Sequence, residues 1–382
     1  MTVKILTAMS GGVDSSVAAH LLKADGHELI GAMMRFFDAG DIAGNTYEAF
    51  QHSLEAVTGA SAGQKLHVSG VAPRSCCTLS DAEDARAVAN ALDIPFYVFN
   101  FSENFAEAVM NKFVRAYLAG TTPNPCIDCN RFLKFEKFLH RATELDCDKI
   151  ATGHYARISA DANGRFLLRT GADTTKDQSY VLYAMTQAQL SRTIFPLGEL
   201  KKEEAREIAQ KMGFVNAQKR DSQDICFAPD GDYAGFIRQR TGATKKGRFI
   251  DRSGKILGEH KGIVHYTIGQ RKGLGISAPE PLFVLAVNAD DNTVTLGANE
   301  DLFTRKLTAR DVNFIPFDRL DSPLRATAKI RYAHAPQPAT IFQTAPDEIV
   351  CEFEQPQRAI TPGQAVVFYD GDIVIGGATI LG

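Results

Sequence analysis

The chain has 382 residues, 45% of them hydrophobic and 23% charged, with a formal net charge of -3. That is the make-up of an ordinary globular protein of two or three domains. It contains no run of about 18 apolar residues that could span a membrane, and the balanced charge means that any nucleic-acid surface must be local. Seven cysteines, an odd number, argue against a disulfide framework and leave burial, metal binding or catalysis as their uses. The N-terminus enters an apolar stretch with no basic-then-apolar leader, so a cytoplasmic location with no membrane partner is expected.

In chain order, Val3–Leu6 predicts a strand. The stretch AMSGGVDSS, Ala8 to Ser16, then leads into an apolar-periodic helix from about Ser15 to Lys23, and Glu28–Phe37 predicts a second strand. Residues 38–75 are rich in Gly, Ala and Ser and are expected to be an insertion, with an amphipathic helix near Thr46–Ala56. A helix is predicted over Leu79–Leu92, a strand over Pro95–Asn100, and a helix over Ser102–Leu118 with Ser102 as its N-cap. TTPNPC should break regular structure, with helix resuming over Arg131–Glu144 and a strand at Lys149–Ala151. This alternation predicts an α/β fold with a doubly wound parallel sheet at the N-terminus. Helices are expected over Ser179–Gln187 and Lys201–Met212. From about Gly231 helical periodicity fades into short β-rich runs: Phe283–Val287, Thr293–Leu296, Ala326–Ile330, Thr340–Phe342, Ile349–Phe353, Ala365–Tyr369 and Ile373–Ala378. These predict a small central β-rich domain and a C-terminal β-barrel, with domains at 1–222, 223–300 and 301–382.

Three stretches concentrate reactive chemistry. In Ala8–Ser16, two glycines allow an anion close to the backbone amides, a helix N-terminus favours negative charge, and Ser10, Ser15 and Ser16 add hydroxyl donors. The loop lacks the GK[ST] ending of a Walker A motif and resembles the SGGxDS pyrophosphate loop of ATP pyrophosphatases, which cut ATP between its α and β phosphates. TTPNPCIDCN, Thr121 to Asn130, offers two thiols three residues apart on what its prolines predict to be an extended, rigid loop. No second CxxC or HxxxH completes a four-ligand zinc site; His140 and Cys147 lack matching spacing. DSQDIC, Asp221 to Cys226, places a third thiol among acidic and polar residues at the junction of the two halves.

The order SGGVDSS, TPNPCxxCNxxxKF, TGHYAR, KDQSYVLY, SQDICF and HYTIGQRKGLG resembles the bacterial tRNA-specific 2-thiouridylases of the MnmA type over essentially the whole chain. The resemblance implies ATP-dependent conversion of the wobble uridine of Lys, Glu and Gln tRNAs to 2-thiouridine, with sulfur supplied by a persulfide sulfur-relay protein. It implies an ATP site formed by Ala8, Met9, Ser10, Gly11, Gly12, Val13, Asp14 and Ser15, with Met34 and Gly153 framing the adenine and Mg2+ accompanying the phosphates. Asp14 could serve that ion indirectly or cap the helix, and His154 would be a structural neighbour. Asn124, Pro125 and Cys126 would meet the target base, and Lys176, Asp177, Gln178, Arg331 and Tyr332 would contact the tRNA. Cys226 would carry the persulfide, and Cys129 would be its partner nucleophile, forming a disulfide with Cys226 as sulfur leaves. The basic loop His265–Gly275 suits phosphate contact, as do Arg131, Lys134, Lys137 and Arg141 on one helix and Lys245, Lys246 and Arg248.

One departure stands out: Cys126 occupies a position where the commonly described form of the family has Asp. Cys126, Cys129 and Cys226 could then hold a [4Fe-4S] cluster with one iron left open to carry sulfur, in competition with the persulfide route. Cys76–Cys77 could relay sulfur or form a buried pair at a helix start. Two rivals use the same loop differently: a synthetase that activates a small molecule, and a non-catalytic RNA-binding or sulfur-carrier protein with a decayed ATP site.

Overall fold

The computed structural model describes residues 2–37, 79–221, 225–228, 231–242 and 244–382. The expected insertion at 38–75, its helix over 46–56 and the Cys76–Cys77 pair lie outside the described residues, as do Ser222 to Asp224 of the third motif. The N-terminal half is built on β1 (Lys4–Ala8), β2 (Glu28–Arg35), β3 (Phe96–Asn100), β4 (Lys149–Ala151) and β7 (Thr193–Ile194). These strands form an all-parallel sheet in the order β3-β2-β1-β4-β7.

Adjacent strand residues face opposite layers. Ile5 and Leu29 pack with α1 (Val13–Ala24), α2 (Leu79–Ala91) and α6 (Lys202–Lys211), whereas Leu6 and Ile30 pack with the Phe- and Leu-rich faces of α3 and α4. Burial on both faces is why β1 and β2 read as continuous apolar runs rather than alternating ones. The sheet is therefore doubly wound, as the sequence predicts.

Helix α3 comprises Ser102–Phe105, a π-helical stretch Ala106–Asn111, and Lys112–Leu118. Its N-cap is Phe101 rather than Ser102, and the Asn100 side chain accepts from the Ser102 N–H at 3.1 Å. The expected break through Cys126 is also corrected. Helix α4 begins at Pro125 and runs through Pro125–Asp128, π-helical Cys129–Lys137 and Phe138–Glu144. Proline excludes itself from a helix interior but suits the first helical position, where its missing N–H has no partner to lose. Asn124 caps the helix by accepting from the Cys126 N–H at 3.1 Å.

Ser179–Gln187 is not one helix. A 3₁₀ turn, Ser179–Leu182, is followed by α5 (Gln187–Ser191), which starts at a Thr186 capping box. Helical structure also continues past Gly231, since α7 spans Tyr233–Thr241 with Asp232 capping the Gly235 N–H at 2.8 Å.

The central unit is a four-stranded sheet in the order β10-β11-β8-β9, made of β8 (Gly247–Ile250), β9 (Ile256–His260), β10 (Phe283–Asn288) and β11 (Thr293–Gly297). It covers a small core that includes Phe249, Tyr266, Val284 and Leu296.

The C-terminal barrel joins β12 (Phe303–Phe314), β15 (Glu348–Arg358), β14 (Gln337–Ala345), β13 (Leu324–Lys329), β16 (Ala365–Asp370) and β17 (Ile373–Ile380). Pairing of β12 with β17 closes six strands into a ring, which removes both sheet edges. A hairpin from the N-terminal half, β5 (Ala156–Ala160) and β6 (Phe166–Thr170), extends this sheet from β17. Arg157 and Arg169 clasp the Asp372 carboxylate at 2.9 and 2.7 Å.

Closure depends on Gly376. Its φ is +150°, and a Cβ there would overlap the Asn313 carbonyl of β12. Gly376→Ala should destabilise the fold by on the order of 2 kcal/mol or more, read as a lowered denaturant midpoint in equilibrium unfolding.

Candidate active site

The turn after β1 and the turn after β4 meet where strand order reverses, the usual location for ligands in a doubly wound sheet. Contact at this point is tight. A Cβ on Gly153 would lie 2.9 Å from the Asp14 carbonyl carbon and the Ser15 nitrogen. Ala8, Met9, Val13 and Met34 are buried beneath the turn, and the Met9 N–H donates to the Ala32 carbonyl of β2 at 2.8 Å. Gly11 adopts φ +74°, and a Cβ there would overlap the Asp81 carbonyl at the start of α2. Gly12 is the N-cap of α1.

Two serines close the loop. The Ser15 hydroxyl donates to the Gly12 carbonyl at 3.0 Å and accepts from the Ser10 N–H at 3.1 Å, and it lies 3.3 Å from the Ser10 hydroxyl. The result is a backbone cradle at the positive end of a twelve-residue helix, suited to a chain of phosphates.

The loop is anchored from beneath by residues that no motif flagged. Asn216 donates to the Gly11 carbonyl at 3.0 Å and to the Ser16 hydroxyl at 2.9 Å. Lys219 donates to the Gly11 carbonyl at 3.1 Å and to Asp81 and Asp84 at 2.6 Å each. Asp14 does not cap α1. Its carboxylate accepts from Lys202 at 2.7 and 2.8 Å and from the Tyr155 hydroxyl at 2.9 Å.

Lys202, only 7% exposed, also reaches Asp221 at 2.8 Å, and Lys176 and Arg206 reach Asp221 at 2.9 Å each. Partial burial disfavours the Asp221 charge, but bonding to Lys202 and Lys176 prevails and holds its pKa down at about 2. A spacing signal existed for Lys202, which opens α6; its two carboxylate partners lie 188 and 19 residues away, so the pairing itself was not readable. His154 is buried between Phe135 and Phe195, and its Nδ1 lies 2.7 Å from the Thr152 hydroxyl. Burial pushes its pKa well down, so the ring is neutral, consistent with the structural role expected for it.

The cysteine motif sits in the first turn of α4. Cys126 is exposed, Cys129 is buried and Cys226 is half-buried. The barrel fixes the approach to this turn: the Thr122 N–H donates to the Pro362 carbonyl at 2.9 Å, and Gln364 donates to the Thr122 carbonyl at 2.9 Å. Asp128, between the two thiols, is buried and paired with Lys112 at 2.6 Å, and burial raises its pKa despite that partner. Among the described residues, no three His, Cys, Asp or Glu side chains gather as a metal site.

Cys351 and Cys147 are buried and far from this chemistry in environment; burial lifts the Cys351 thiol to about 12. Arg131 and Arg141, expected on a basic path, are paired with Asp311 and Glu144. Arg271 and Lys272 of the His265–Gly275 loop are exposed.

The remaining candidates link the two halves. Gln178 holds Tyr155 by accepting from its N–H at 3.0 Å. Asp177 braces its own turn, accepting from the Gly171 and Ser179 N–H groups and from the Ser179 hydroxyl. Tyr332, from the loop after β13, donates its hydroxyl to the Asp177 carbonyl at 3.0 Å. Arg331 is half-buried beside it. The structure thus brings Asp177 and Tyr332 together across 155 residues.

The tRNA methyl transferase HUP domain matches residues 3–69 and 48–230, the tRNA methyl transferase PRC-barrel domain matches 234–298, and the aminomethyltransferase beta-barrel domain matches 304–380. The chain is 49% identical over 379 residues to tRNA-specific 2-thiouridylase MnmA of Lachnoclostridium phytofermentans, spanning 99% of both proteins. It is 48% identical over 382 residues to tRNA-specific 2-thiouridylase MnmA of Clostridioides difficile, spanning 100% of this chain and 98% of that protein. A 4-thiouridine synthetase–RNA complex with bound ATP is 18% identical over 59% of this chain and 45% of that one, with a TM-score of 0.34, too loose to bear on the site.

The ion network generates two expectations. Lys202→Met leaves two carboxylates largely buried without their shared cation, and should cost about 3 kcal/mol in equilibrium unfolding. Asp221 contributes stability that is complete above its ordinary pKa of 3.8 and is lost as pH falls through about 2. Asp221→Asn should therefore be less stable than the parent at about pH 5, and acid denaturation followed by circular dichroism should show the gap closing towards about pH 2.

Proposed function

The chain belongs to the tRNA-specific 2-thiouridylase MnmA family, and from that premise we propose that it is an ATP-dependent tRNA uridine 2-sulfurtransferase. The observation that carries this is the serine-lined cradle at the start of α1, on a chain whose barrel reaches back to the KDQ turn through the Tyr332–Asp177 bond. The C2 oxygen of uridine is a poor leaving group. Its attack on the α-phosphorus of ATP expels pyrophosphate and leaves an adenylated oxygen that departs readily as AMP.

Ser10, Gly11, Gly12, Val13 and Ser15 hold the departing pyrophosphate through backbone amides and hydroxyls that are already oriented. Ala8, Met9, Met34 and Gly153 wall the nucleoside. Mg2+ fits this site as a companion of the phosphates. Asp14 is already engaged by Lys202 and Tyr155, so the ion would be held mainly by the nucleotide and would supply charge shielding there.

Sulfur follows the persulfide route. A persulfide on Cys226, loaded by a sulfur-relay protein, delivers its outer sulfur to C2, and Cys129 takes up the remaining sulfur of Cys226 as a disulfide. Asn124, Pro125 and Cys126 face the target base; Lys176, Asp177, Gln178, Arg331 and Tyr332 form the RNA-side surface.

Pyrophosphate release from ATP should require tRNA and should not respond to free nucleosides or amino acids, which separates thiolation from small-molecule activation. Cys129→Ser and Cys226→Ser should each abolish thiolation while leaving ATP and tRNA binding near parental; normal turnover by the Cys226→Ser enzyme would remove the mechanism. Cys126→Asp should retain activity, and iron and sulfide analysis of anaerobically purified parent should find neither. Loss of activity in that variant together with bound iron would favour the cluster.

A further inference from the structure

The outer face of the barrel beside Tyr332 gathers basic groups that the fold does not neutralise. Lys329 ends β13. Its neighbour Ala328 points into the barrel core, so Lys329 points outward, towards the N-terminal half. Its ammonium lies 5.7 Å from the Tyr180 ring centroid and 5.8 Å from that of Tyr332. Those rings strip water from the cation and hold it in place over their negative faces.

Among the described residues, the carboxylate that Lys329 feels is that of Asp177. Asp177 is already committed to the Gly171 and Ser179 N–H groups and the Ser179 hydroxyl, and it does not pair with the lysine. Burial accordingly lowers the Lys329 pKa, and the attraction of Asp177 only offsets part of that.

Arg331, two residues on, makes one long bond, to the Arg358 carbonyl at 3.5 Å. His334 completes the group. Burial, and then the charges of Arg331 and Lys329, lower its pKa against an opposing hydrogen bond with Gln357, and its Nδ1 is buried with no hydrogen-bond partner. The two cations repel one another, and each is partly dehydrated. An incoming anion would relieve both penalties at once.

We propose that Lys329, with Arg331 and His334 beside it, binds a phosphate of the RNA backbone next to the nucleotide presented to Cys126. The proposal rests on the thiolation reading above. The same chemistry could accept a free phosphate or pyrophosphate. The Tyr332 ring, 44% exposed, favours a phosphate that arrives attached to a base, because the ring offers a stacking face next to the cations.

The test measures tRNA binding to the full chain over a series of salt concentrations, with ATP binding followed in parallel. Lys329→Met keeps the aliphatic stem and removes the charge. It should weaken tRNA binding about tenfold and reduce the slope of log K against log salt by about one, with ATP affinity and thermal midpoint near parental. Lys329→Arg should restore the slope, which a packing role would not achieve. A Lys329→Met protein that binds tRNA with the parental slope overturns the proposal alone; a parent that binds no tRNA overturns the functional reading with it. Inorganic pyrophosphate at matched ionic strength is the second arm. Saturable binding to the parent that is lost in Lys329→Met, with the tRNA slope unchanged, would assign the site to a free anion and refute the RNA phosphate.

Discussion

The ammonium of Lys202 is the point on which the catalytic half depends. It is almost fully buried, and it holds both oxygens of Asp14 in the nucleotide loop and one oxygen of Asp221 at the entrance to the Cys226 segment. A buried cation is tolerable only when its partners are fixed, and here the partners belong to the two segments whose relative position matters most. Lys176 and Arg206 complete the charge balance around Asp221, so the KDQ turn is tied to the same centre. The nucleotide loop, the KDQ turn and Asp221 thus share one electrostatic anchor.

Around that anchor the molecule is assembled by contacts that cross domain lines. The β5–β6 hairpin leaves the N-terminal half and extends the barrel sheet. The barrel returns the contact at Pro362 and Gln364, which hold the backbone just ahead of Asn124. The first turn of α4, carrying Cys126 and Cys129, is therefore set from one side by its own asparagine cap and from the other by the barrel.

The sequence pattern disclosed most of the elements, and its failures have identifiable causes. Strands β10, β11 and β13 to β17 were visible as short β-branched runs between turn signals. Strand β12 was not, because FTRKLTARDVNF has four charged residues among its twelve, and only Leu307, Ala309 and Phe314 along it are buried. The prolines of TTPNPC predict an extended loop, but Pro125 sits in the first turn of α4, where a missing N–H forfeits no intrahelical bond. The SGGVDSS turn was legible because its composition is set by local needs: a left-handed Gly11, an N-cap at Gly12, and serines within reach of their own backbone.

Sequence alone determined the doubly wound sheet and the phosphate-binding character of Ala8–Ser16, because each follows from periodicity or from residues close together along the chain. Tertiary structure decided what those residues face. It placed Asp14 on Lys202 rather than on its helix cap, set Tyr332 over Asp177 across 155 residues, and set Lys329 against the Tyr180 and Tyr332 rings. Such pairings are set by how separate layers stack, and burial then fixes their energies. No local pattern encodes a partner that lies a domain away.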